Sequence, residues 1–142
     1  MMRKLRVTDL PEVYNNEKPL DAARRICELF PEASETLSTR ELCSHKKSLT
    51  ERLKNAYSLE IRQTVHCCYT LPPQSYIERN GGDEVYLVIK NKGDGSRTRR
   101  YRDTLLRLGL AVESDGKFKI QKEFAELLEL MDSKGYRNFR YN

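Results

Sequence analysis

Five arginines, Arg97, Arg99, Arg100, Arg102 and Arg107, fall within eleven residues of the stretch Gly95 to Leu108. One acid, Asp103, shares their window. Guanidinium is a permanent cation whose planar fork of donors matches phosphate or carboxylate oxygens. On a helix, Arg99, Asp103 and Arg107 stand four apart in series, so Asp103 can pair with one of them. At least three arginines then remain without a local counter-charge. A helix needs no such lopsided face to stay in water, so the chemistry expected is capture of a polyanion. The alternative is docking of an acidic protein partner through the same surface.

A second group of reactive residues invites comparison. Cys43-Ser44-His45 and His66-Cys67-Cys68 hold both histidines and three of the four cysteines. Zinc takes four such ligands as thiolate sulfur and neutral imidazole. Neither cluster has knuckle spacing, and adjacent Cys67 and Cys68 point to different faces of a helix. The thiols, Cys27 included, therefore read as small buried hydrophobes of a reducing compartment, with no metal or other cofactor expected. Catalysis finds no support either. No glycine-rich approach surrounds a cysteine, GDGS (Gly93–Ser96) is a turn and no phosphate-binding loop, and Lys90 lacks the carboxylate partner of a nuclease strand.

The whole chain has 142 residues and a net charge of +5, with 33% charged residues. Its mean hydropathy is −0.74 and its isoelectric point about 9.0. No apolar run approaches the roughly 18 residues a membrane span requires, and the basic N-terminus lacks the apolar core of a secretory signal. A cytoplasmic location and no membrane partner are the expectations. The basic excess is modest but local, since residues from Asp115 onward are nearly balanced.

The elements that must position these residues follow from periodicity and punctuation. Residues 1–18 read as an arm. Pro19 suits a first helical position, and Leu20, Ala23, Cys27 and Phe30 repeat at helical spacing until Pro31. Two capping boxes, Ser38 with Glu41 and Ser48 with Glu51, predict a short helix from Thr39 to His45, a turn near Lys46 and Lys47, and a second helix from Leu49 to about Cys68. Thr50, Lys54 and Asn55 point outward from it, while Leu49, Leu53, Ala56 and Tyr57 face inward. Asn80-Gly81 separates two β-rich segments, predicting a hairpin of Ser75–Arg79 and Glu84–Lys90. A competing reading makes Asp83–Asn91 a helix. Ser96 is a candidate N-cap for the arginine helix, whose inner face is Tyr101, Thr104, Leu105 and Leu108 and which Gly109 terminates. Leu110 and Val112 lead into Asp115-Gly116, and Phe118 and Ile120 lead out, giving a second hairpin with Lys117 and Lys119 opposite Phe118. A last helix turns Phe124, Leu127, Leu128 and Met131 inward and ends at Gly135. Its leucine-rich stripe suits the core, with a homodimer contact as the secondary use. Tyr136, Phe139 and Tyr141 in the tail carry rings on which single-stranded bases can stack, which leaves RNA open beside DNA.

Helix, turn, helix and two-stranded ribbon in that order resembles the winged helix-turn-helix family. The resemblance occurs twice. Pro19 to Lys90 carries it through the paired capping boxes and Asn80-Gly81, and Ser96 to Ile120 carries it through the Leu105-x-x-Leu108-Gly109-Leu110 phrase and the Asp115-Gly116 tip. The two matches compete for residues 83–91. The fold expected is α+β, mainly helical with two β-hairpins and winged-helix-like. An arm (1–18), a helical helix-turn-helix-like unit with hairpin (19–90) and an Arg-rich helix, wing hairpin and C-terminal helix (91–142) are expected to form one compact domain. The resemblance implies non-catalytic binding of double-stranded DNA, as a regulator or recognition subunit. Arg97, Arg99, Arg100, Arg102, Arg107, Lys117 and Lys119 would meet phosphate, and Thr50, Lys54 and Asn55 would approach base edges.

Overall fold

Pro19 sets the first helix. In the computed structural model it occupies the first turn of α1 (Pro19–Glu28), where its missing N–H costs nothing. The structure describes residues 10–12, 17–29, 39–72, 74–82, 84–90 and 96–135, without the side chains of 39, 41–43, 45–48, 96 and 97. Leu20, Ala22, Ala23, Ile26 and Cys27 form the buried stripe of α1. Phe30 and Pro31, the expected end of that stripe, lie outside the described residues. From the arm, Leu10 packs on the core. Arg25 is bonded to the Glu12 carbonyl and the Glu17 carboxylate, and Tyr57 donates to the Pro11 carbonyl.

The two helices expected from the capping boxes are one. Helix α2 runs unbroken over Thr39–Ala56, through the turn expected at Lys46 and Lys47. No glycine or proline stands there, and lysine is a good helix former, so nothing stops propagation. The break falls at Tyr57–Ser58 instead. Ser58 has extended backbone, and its hydroxyl accepts the Ile61 N–H at 3.4 Å to cap α3 (Leu59–Tyr69). Leu49 and Leu53 are buried as expected; Ala56, expected inward, lies exposed at the end of α2.

Strand formation settles the competition for residues 83–91. Strand β1 (Tyr76–Arg79) pairs antiparallel with β2 (Val85–Val88), in register Arg79 with Val85. β-Branched and aromatic residues crowd this segment, as strands favour. Gly81 and Gly82 take positive φ (80° and 60°), which a side chain resists. After α4 (Ser96–Arg107), β3 (Ala111–Ser114) and β4 (Lys117–Ile120) form the second hairpin. Its two-residue tip has both Asp115 and Gly116 at positive φ, the backbone of a type I′ turn. Helix α5 (Lys122–Ser133) closes the chain, with Phe124, Leu127, Leu128 and Met131 buried. The stripe considered for homodimer contact is thus occupied by the core.

The two hairpins merge into one four-stranded antiparallel sheet of order β1-β2-β4-β3. Its seam pairs Val85 with Ile120 and Leu87 with Phe118. The fold is α+β and mainly helical, as the sequence predicts. Alternation puts Val85, Leu87, Ala111, Phe118 and Ile120 on a buried inner face, against which α4 and α5 pack. The outer face carries Tyr76, Glu78, Tyr86, Val88, Val112, Lys117 and Lys119, with Tyr76 41% and Val112 66% exposed. Behind α4 and α5 stands α3, in contact with α1, α2, α4 and α5.

Candidate nucleic-acid interface

Helix α4 is held by its inner face. Thr98, Tyr101 and Leu105 are buried, and Thr104 and Leu108 are half-buried at the flanks. The Tyr101 hydroxyl donates to the Cys67 carbonyl of α3 at 2.9 Å. Thr104 closes a local bond to the Arg100 carbonyl at 2.8 Å. At the C-terminus, Leu110 N–H reaches the Leu105 carbonyl at 3.0 Å and Gly109 N–H the Leu106 carbonyl at 3.2 Å, with Gly109 at φ 71°. These two bonds make a Schellman end, which needs a residue content in the left-handed region. The same motif turns the chain from helix into β3.

With Tyr101 and Leu105 inward, helical periodicity sends Arg99, Arg100 and Arg107 onto one outward arc, with Asp103 and Leu106 among them. All five are exposed. Among the described residues, no carboxylate lies within 4.0 Å of Arg99, Arg100, Arg102 or Arg107. Asp103 therefore pairs with neither arginine at i±4. Arg107 does have an anchor: its Nη1 donates to Gln63 Oε1 of α3 at 2.9 Å. That bond fixes the guanidinium and leaves its charge uncompensated. Arg102 is set apart on the flank facing the sheet, where its guanidinium lies 5.6 Å from the Phe118 ring centroid. This is a cation–π contact, and the half-buried Arg102 is a packing residue as much as a surface charge. The Arg97 side chain lies outside the described residues, as do Tyr136, Phe139 and Tyr141 of the tail.

The remaining expected site residues do not gather around this arc. Phe118 faces the helices, so Lys117 and Lys119 project from the opposite side of the sheet. Lys117 is also engaged: its ammonium donates to Glu78 at 2.6 Å, and that bond raises its pKa. Lys119 is exposed beside Tyr86. Thr50, Lys54 and Asn55 are exposed near the end of α2, and Thr50 and Lys54 border a trough between α2 and α3. Gln63, absent from the sequence reading, lines that trough and holds Arg107. Its only signal in the sequence was its place on the Leu59, Gln63, His66 stripe of a helix whose other sides are apolar.

Helices α2 and α3 precede the hairpin of β1 and β2, and α3 has little open side. Ile61, Thr64, Val65, Cys67, Cys68 and Tyr69 are buried around it. Helix α4, which follows strand β2, has the open side.

No family model, curated protein or solved structure matches this chain.

Among the described residues, no group of three or more histidine, cysteine, aspartate or glutamate side chains comes together as a metal site. The side chains of Cys43 and His45 lie outside them. Cys67 and Cys68 are buried while His66 is exposed, which separates the second cluster. Burial pushes the Cys67 thiol up to about 12. A bond with Cys27, together with burial, raises Cys68 still more firmly into the neutral form. Neutral thiols are neither nucleophiles nor good metal ligands. Among the described residues, no helix is long and apolar enough to cross a membrane.

Proposed function

We propose that this chain binds double-stranded DNA without catalysis, as a regulator or recognition subunit, by laying the outward arc of α4 against the phosphate backbone. The observation that carries the reading is the set Arg99, Arg100 and Arg107, exposed on one arc with no carboxylate within 4.0 Å among the described residues. Water solvates these charges when the chain is free. A polyanion replaces that water and releases its own condensed counterions, which is the source of the affinity. Arg107, fixed by Gln63, gives the arc one cation of defined position, and Arg99 and Arg100 are free to follow the strand. Base edges are read, if at all, by what lies between those arginines.

Lys117 and Lys119 play no part in this surface, because they face the other side of the sheet. That separates the reading from one in which any basic residue suffices. Fluorescence anisotropy with a random-sequence duplex at fixed low salt tests it. The double change Arg99→Ala/Arg100→Ala should weaken binding by about tenfold or more, from the loss of two phosphate contacts. Changing Lys117 and Lys119 to Ala should alter it less than twofold. Equal losses in both variants would mean that net charge, and no particular arc, drives the binding.

A further inference from the structure

Between α2 and α3 runs a trough of about 450 Å3 that the arginine arc does not account for. Its floor is apolar: Leu49, Leu53, Val65 and Tyr69 line it and are buried. At its end Leu59 is 53% exposed, an apolar side chain left in water at the first position of α3. The rim is cationic. Among the described residues, Lys54 and Arg62 border the trough against one acid, Glu51. The Nε of Arg62 is buried and has no acceptor among the described residues. Arg107 stands next to the same rim through its bond to Gln63.

We propose that this trough receives an amphipathic helix of a partner protein, with aspartate or glutamate flanking its apolar stripe. The exposed rim residues Thr50, Lys54 and Leu59 leave the trough open along its length, so it suits a laid-in helix better than an enclosed small molecule. Its α3 wall, Leu59–Tyr69, spans 11 residues, about 16 Å or three turns at the usual rise. A ligand helix of three turns places residues i, i+3 or i+4, and i+7 on the apolar floor. Its acids then meet Lys54 and the partly exposed Arg62. Nucleic acid suits the floor poorly, because Leu49, Leu53 and Val65 offer nothing to a phosphate backbone. A second copy of this chain fits no better through the same face, since it would bring Lys54 and Arg62 against their own kind.

The test uses the full chain as bait for a displayed library of random peptides about five turns long if helical, so that each can span the trough. Selected peptides should share the apolar spacing with adjacent aspartate or glutamate, and should gain helical circular dichroism on binding. A synthetic peptide of that pattern should lose at least tenfold in affinity against Arg62→Glu and against Leu59→Glu. Leu59 is exposed and Arg62 partly so, and an unchanged melting curve confirms each variant's fold. Arg99→Ala/Arg100→Ala should leave peptide affinity unchanged, which separates this site from the arginine arc. No enrichment, enrichment of basic or non-helical peptides, or binding indifferent to both trough variants would overturn the proposal. So would concentration-dependent dimerisation abolished by Leu59→Glu, which assigns the trough to a second copy.

Discussion

The bond from the Tyr101 hydroxyl to the Cys67 carbonyl ties the arginine helix to α3 inside the core, and it can be cut cleanly. Cys67 stands two residues before the last residue of α3, among the carbonyls that have no donor within their own helix. The Tyr101 hydroxyl supplies one at 2.9 Å. In Tyr101→Phe the ring keeps its packing, the hydroxyl is lost, and a buried carbonyl is left without that donor. Such a loss costs about 1–3 kcal/mol. With a urea dependence of roughly 2 kcal/mol per molar, that loss moves the unfolding midpoint down by about 0.5–1.5 M at unchanged slope. Equilibrium urea unfolding followed by circular dichroism measures it. Duplex DNA binding well below the midpoint should survive, since the outward arc is untouched. A midpoint shift under about 0.2 M would refute the role given to this hydroxyl in holding α4 to α3.

Three further outcomes follow from the same coordinates. At pH 8 no more than one of the four thiols should react promptly with an aromatic disulfide reagent, and all four should do so in denaturant, because Cys27, Cys67 and Cys68 are buried; two or more prompt thiols in the native chain would contradict their burial. Since burial raises Cys67 from an ordinary 9.0 to about 12, its contribution to stability is intact below pH 9 and drains away as pH rises towards 12. Stability should fall across that window by up to about 1.4 kcal/mol per pH unit for this thiol, and Cys67→Ala should show a shallower decline. Gly109→Ala should cost about 1 kcal/mol, because nothing crowds the added methyl and only the positive φ of 71° resists it; a neutral result would mean the Schellman end relaxes without loss.

Much of the fold was legible where a local rule had no competitor. Pro19 with an apolar stripe gave α1, Asp115-Gly116 gave the second hairpin, and Phe124, Leu127, Leu128 and Met131 gave α5. Helix α2 begins at Thr39, where the first capping box places a start, but the second box misled because serine and glutamate are also tolerated inside a helix. Ser48 and Glu51 fell mid-helix, while Ser58, three residues before an isoleucine, made the real cap. The pairing of β2 with β4 joins residues more than thirty apart, across a helix, and no local pattern announces it. That pairing decides which side each β4 residue faces, and so it takes Lys117 and Lys119 off the arginine surface. Partners distant in sequence were equally hidden: Glu78 for Lys117, Gln63 for Arg107, and Phe118 for Arg102. The outward direction of Arg99, Arg100 and Arg107 was legible, because helical periodicity against Tyr101 and Leu105 fixes it.

The most direct test of the arginine arc is the salt dependence of duplex DNA binding. Log affinity should fall linearly with log salt between about 50 and 200 mM, and the slope of Arg99→Ala/Arg100→Ala should be shallower by about 1.8, or 0.9 for each phosphate released. A double variant whose slope equals that of the unaltered chain would contradict the account, whatever its affinity.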